Sequence, residues 1–195
     1  TRYHATQIVF FASLSALLTV VVYTQAKHSW HKIKNASFTV HFFRSLTMFL
    51  AMSCFIYSTF YLPLTTLYSI IFTIPLLITI GGAVFLNEKV SWRRYTATII
   101  GFIGALIAID PFNSEFSKIS ILAIIMPFFP AISYLIVRKY GHQESLFSFL
   151  IYGKLFMILF SSIFVFYFYK PMPIDDLLIN LGSGVLRGVA IIFVI

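Results

Sequence analysis

Apolar runs, each about as long as a membrane is thick, alternate with short polar breaks along the whole chain. Seven can be marked, at residues 5–25, 37–60, 62–86, 95–109, 119–137, 146–169 and 177–195. Residues 62–86 carry no charge over a length that, as a helix, crosses a hydrocarbon layer of ~30 Å. Residues 95–109 are equally uncharged, contain Gly101 and Gly104, and stop at Asp110-Pro111, where a charge meets a helix breaker. The pattern predicts an all-α integral membrane protein, a polytopic bundle of seven spans. Its polar breaks are too short to hold a soluble domain.

Composition agrees with the pattern. Hydrophobic residues make up 59% of the chain, charged residues 10%, and the mean hydropathy is +0.93, whereas about a quarter of an ordinary soluble domain is charged. A net charge of +8 would suit nucleic acid, yet the basic residues are scattered between apolar runs and form no patch, so no nucleic-acid partner is expected. The single cysteine, Cys54, excludes an intrachain disulfide and is expected to be packed or lipid-facing. No metal-ligand spacing and no cofactor motif is present, and no signal peptide is expected.

Charge also sets the orientation. Lys27, Lys32, Lys34, Lys89, Arg93, Arg94, Arg138 and Lys139 fall in one set of alternate breaks, against Arg2, Lys118 and Lys170 in the other. The first set is therefore expected in the cytoplasm, with Thr1 outside and Ile195 heading inward. A start without methionine and an end inside an apolar run lead us to expect a fragment of a longer protein.

Several motifs fall in a recognisable order: Pro63-Leu64, Pro75-Leu76, Leu86-Asn87-Glu88-Lys89-Val90-Ser91-Trp92-Arg93-Arg94, Gly101-Phe102-Ile103-Gly104, and Asp110-Pro111. This series resembles the end of an EamA repeat, the unit of the drug/metabolite transporter superfamily. The resemblance implies ten spans built from two inverted repeats of five, of which residues 1–112 would be the first without its first span. Residues 113–195 would be the second, truncated after about three spans. The run His41 to Met52 with Arg44, and the proline-bearing residues 62–86, are similar to the bacterial S-adenosylmethionine uptake branch and equally similar to members with unassigned solutes. One departure stands out, because Phe10-Phe11 is followed by Ala12 where similar members often carry an arginine.

Three basic residues lie inside apolar runs: Arg44, Lys154 and Arg187. Each sits roughly 12 to 16 Å of helix rise from its nearer end, where a charge costs ~2.5–3.5 kcal/mol on insertion scales. Such residues line a wet cavity or snorkel to the headgroups; the cavity reading makes them contacts for an anionic or carboxylate-bearing solute. Pro75, Pro127 and Pro130 interrupt their spans and free carbonyls that Tyr68, Ser69, Thr73 and Thr79, or Ser133 and Tyr134, could satisfy. A kink is expected near Ile71. Tyr68, Thr73, Pro75 and Tyr152 complete the candidate substrate-binding set. His41, one turn before Arg44, is read as interfacial or at the cavity mouth. Glu88 is read as a cytoplasmic ion-pair partner of Lys89, Arg93 or Arg94. The glycines at 81–82, 101, 104, 182, 184 and 188 are read as points of close helix packing. Asn35-Ala36-Ser37 matches a sequon without meaning on a cytoplasmic loop.

A secondary transporter of a small metabolite in the cell inner membrane is the reading that uses these features together. A structural or assembly subunit would not need buried cations or broken helices. An enzyme would need a reactive cluster, and none is present. The expected partners are a small-molecule solute and the lipid bilayer, with a second copy of the chain as a candidate.

Overall fold

A computed structural model describes residues 3–28, 30–33, 37–109 and 118–193. Every regular element among them is helical: α1 (Ala5–Ala26), a 3-10 turn (Trp30–Ile33), α2 (Phe38–Ser58), α3 (Leu64–Ile71), α4 (Ile74–Phe85), α5 (Trp92–Ile109), α6 (Lys118–Ile125), α7 (Phe128–Tyr140), α8 (Leu146–Phe168) and α9 (Ile174–Phe193). Six stretches are long and apolar enough to cross a membrane, with α3 and α4 together forming one and most of α6 with α7 another. The seventh predicted span is α5. Its 18 residues give ~27 Å of rise, and its first turn is occupied by Trp92, Arg93 and Arg94, which dilute its apolar character. Asp110, Pro111, residues 113–117 of the repeat boundary expected near 113–118, and Asn35 and Ala36 of the sequon lie outside the described residues.

The chain forms two compact units, Thr1–Phe49 with Tyr140–Ile195, and Leu50–Lys139. In the first, α1 packs against both α8 and α9. Its buried face is made of small or short polar residues, including Ala12, Ser15, Ala16 and Val20, and this lets α9 approach closely. A methyl group at Gly184 would strike the Ala12 carbonyl and the Ser15 hydroxyl, and one at Gly188 would lie 2.9 Å from Thr19 Cβ. Ala12 is thus at the seam, which explains why no arginine follows the paired aromatics. At the other end of α1, Gln7 clamps the Lys170 backbone, donating to its carbonyl at 2.7 Å and accepting from its N–H at 3.1 Å. An aromatic ladder joins α2 to α8, with Phe42 5.6 Å from Phe156 and Phe49 5.7 Å from Phe160 between ring centres.

In the second unit the prolines divide their spans. Pro75 falls in the first turn of α4, where a missing N–H costs nothing. The span breaks at Phe72-Thr73, immediately after Ile71. Among the hydroxyls expected to serve freed carbonyls, Thr73 in the break donates to the Ile70 carbonyl at the end of α3 at 2.7 Å, whereas Thr79 turns back to Pro75 at 2.7 Å and Ser69 to Thr65 at 3.0 Å within their own helices. Likewise Pro127 separates α6 from α7. Leu67, Ile70, Ala123 and Met126 form the core, with Cys54 packed against it. Gly81 faces Leu135, whereas Gly101 and Gly104, like Gly182 in the first unit, face open space among the described residues. The expectation of close packing at those three glycines is corrected accordingly.

Candidate functional site

The structure places Arg44, Tyr152, Lys154 and Arg187 in the first unit and Tyr68, Thr73 and Pro75 in the second. Tyr68 and Pro75 are exposed.

The three intramembrane cations of the first unit form a cluster. Arg187 of α9 and Arg44 of α2 are the two charges that act on Lys154 of α8. Helix rise brings them to one level. Arg44 is ~9 Å and Lys154 ~12 Å from the starts of their helices on one side, while Arg187 is ~20 Å from the start of α9 on the other side of a ~30 Å layer. Arg44, six residues past the start of α2 at Phe38, is shallower than the roughly 12 to 16 Å expected.

The cations differ in their surroundings. Arg44 is turned onto α8, donating from Nη1 to the Phe149 carbonyl at 3.2 Å, with its guanidinium 5.1 Å from the centre of the Phe149 ring. Gly153 makes this possible, since a Cβ there would lie 3.0 Å from Nη1. Arg44 therefore ties α2 to α8 as well as charging the cluster. Lys154 is half-buried and Arg187 exposed, and neither has an acidic partner at ion-pair distance among the described residues. Two cations held close without an acid raise each other's energy in a low-dielectric layer, and an anion entering between them relieves it.

Two further residues were not singled out from sequence. Asn180, seven residues before Arg187 on α9, is buried with both amide atoms unpaired. Glu144, ahead of α8, pairs with His41 at 3.2 Å. His41, in the first turn of α2, is wholly buried within the protein. The sequence shows Glu144 only as an acid in a loop, and nothing local reveals a partner more than a hundred positions away.

In the second unit, Glu88 pairs with Arg138 at 2.6 Å, not with the neighbouring Lys89, Arg93 or Arg94. The reason is local. Asn87 adopts φ 53°, a left-handed conformation asparagine tolerates, and the Glu88 N–H returns to the Gly82 carbonyl at 3.2 Å. This closes the helix in the αL turn common at helix ends and brings the carboxylate back over Gly82. A Cβ at Gly82 would lie 2.9 Å from Glu88 Oε2. The pair links the end of α4 to the last turn of α7. Replacing Glu88 with glutamine is expected to lower stability by about 1 kcal/mol, and Gly82→Ala to have a similar effect. The Glu88→Arg, Arg138→Glu exchange should recover most of the loss in thermal melts, and equal melting of all four proteins would contradict the pair's role.

The family model for the EamA-like transporter family matches residues 1–109. The chain belongs to the EamA-like transporter family. It is 32% identical over 158 residues to an S-adenosylmethionine uptake transporter of Rickettsia bellii, covering 80% of this chain and 53% of that protein. Over 189 residues it is 30% identical to the transporter of the same name from Rickettsia prowazekii, covering 94% and 63%. It is 26% identical over 177 residues to a riboflavin transporter of Vibrio cholerae, covering 90% and 59%. The chain spans about half the length of the curated relatives it matches. No solved structure matches it significantly. Family and relatives are transporters, which sets aside the enzyme class weighed from sequence, and six apolar helical stretches make this EamA-family chain a multi-pass membrane protein.

Proposed function

We propose that the complete protein is a secondary transporter of the inner membrane, carrying a small carboxylate-bearing metabolite of amino-acid or nucleoside-derivative type. The observation that carries this reading is the cluster of Arg44, Lys154 and Arg187, two of them without an acidic partner among the described residues. In this reading Lys154 and Arg187 hold the carboxylate, Arg44 fixes the wall from which Lys154 projects, and Tyr152 flanks it. The names of the relatives support a solute of this size, and S-adenosylmethionine, which bears one carboxylate beside a sulfonium and an ammonium group, is the first probe to use.

An inverted repeat divided near residues 113–117 also belongs to this proposal. On that division α1 corresponds to α8 and α2 to α9, so the pairs α1 with α9 and α2 with α8 exchange under the repeat. Helix contacts of both kinds occur in the first unit. The orientation is proposed from the charge count. Cysteines introduced at Lys32, Arg93 and Lys139 should resist an impermeant reagent on intact cells, and those at Asn113 and Asp175 should react; the reverse pattern would overturn it.

Uptake into vesicles holding the complete protein tests the solute class. Labelled S-adenosylmethionine should enter, and the unlabelled acid should compete while its methyl ester, lacking the carboxylate charge, competes at least tenfold less well. Equal competition by acid and ester would refute an anion-binding cluster.

A further inference from the structure

On the cytoplasmic side of the cluster, still within the first unit, lies an ionisable pair that solute binding does not account for. Glu144 Oε1 accepts from the Ser37 backbone N–H at 2.7 Å, just ahead of α2, and Oε2 lies 3.2 Å from His41 Nε2. The side chains are 0% and 5% exposed for His41 and Glu144. The imidazole stacks on Tyr152, 5.0 Å between centres and 18° from parallel, and meets the Phe149 ring edge-on at 4.9 Å. Its Nδ1 is buried with no hydrogen-bond partner among the described residues.

That geometry specifies a chemical state. A carboxylate against Nε2 holds the N–H on that nitrogen, which leaves the basic lone pair on Nδ1. An imidazole with a carboxylate on one nitrogen and an open lone pair on the other accepts a proton with its counter-charge already in place. Capping α2 uses only Oε1 of Glu144, and an apolar ring would fill the space beside Tyr152 and Phe149 equally well. Neither role needs the pair.

The groups around His41 decide what a proton there does. Along α2 the nearest charge is Arg44, one turn on. From the segment ahead of α8 it is Glu144, and from α8 it is Lys154, two residues beyond the uncharged phenol of Tyr152 that stacks on the ring. Glu144 and Arg44 are the charges that act on the ring. With the cluster empty, a proton on His41 adds to positive charge already present. Once an anion sits among the cations that repulsion is cancelled, so anion and proton each favour the other's binding, by reciprocal linkage.

We propose that His41 and Glu144 form the proton-binding site that couples solute movement to protons, the proton entering on Nδ1 as the Nε2–H stays on the carboxylate. This rests on the reading of the cluster as an anion site. The two are separated by measuring the complete protein in lipid nanodiscs with acetate as the probe. Histidine nitrogen NMR, with the His41 signal assigned by its loss in His41→Asn, should show protonation between pH 8 and pH 5. Acetate should bind at least fivefold more tightly at pH 5.5 than at pH 8. In Glu144→Gln, whose amide oxygen still accepts from Ser37 and keeps α2 capped, that ratio should fall below twofold. A His41 that stays neutral down to pH 5 overturns the proposal, as does acetate binding with no pH dependence or with the same dependence in Glu144→Gln. Acetate that does not bind at either pH defeats the anion site itself, and the coupling with it.

Discussion

Replacing Gly184 with leucine is expected to remove most of the folded protein. The position faces the backbone of α1, where the Ala12 carbonyl would meet any added carbon, and a carbonyl inside a helix cannot step aside as a flexible side chain can. The two helices would have to separate along the seam that also holds Gly188 against Ala16 and Thr19. Overpacking of this kind costs up to about 3 kcal/mol, and in lipid no hydrophobic term offsets lost helix packing. Gly182→Leu is the control. Nothing lies within 4 Å of that position, so its cost should stay within about 0.5 kcal/mol. The measurement is the yield of monodisperse protein after extraction, with melting temperature. Equal yields for the two variants would show that α1 and α9 do not pack as described.

This contrast marks how far the sequence could be read. Spans were legible because a membrane demands long uncharged helices and leaves few other solutions. The break at Phe72-Thr73 was legible because Pro75 cannot donate a helical hydrogen bond. Glycine was less informative: the same residue type serves a tight seam at Gly184 and open space at Gly101, and only the neighbouring helix decides which. Charge behaved similarly. Arg44, Lys154 and Arg187 stood out one by one against apolar runs, but their grouping depends on three helices distant in sequence. Glu88 was recognisable as a helix-end acid, while its partner Arg138 was not, since the turn at Asn87 carries the carboxylate away from the basic residues beside it. The pairing of His41 was not legible, because Glu144 comes from a loop far along the chain.

The second large effect is on transport. Arg44→Gln, Lys154→Gln and Arg187→Gln each keep hydrogen-bonding capacity and remove a charge. Because Lys154 and Arg187 have no acid among the described residues to leave stranded, their replacements should fold as well as the parent or better, which is the opposite of breaking a buried ion pair. Arg44→Gln should in addition loosen α2 from α8, by about 1 to 3 kcal/mol for the lost charged hydrogen bond to Phe149. Uptake should fall in all three, tenfold or more for Lys154 and Arg187, as expected for at least 1.4 kcal/mol of lost interaction with a bound carboxylate.

The most direct test is therefore uptake of labelled S-adenosylmethionine per folded molecule of the complete protein, compared for the parent and the Lys154→Gln and Arg187→Gln variants. A tenfold or greater loss of uptake with undiminished folded protein is the predicted result. Uptake equal to the parent in both variants would contradict an anion-binding cluster and leave the two cations reaching for the lipid headgroups.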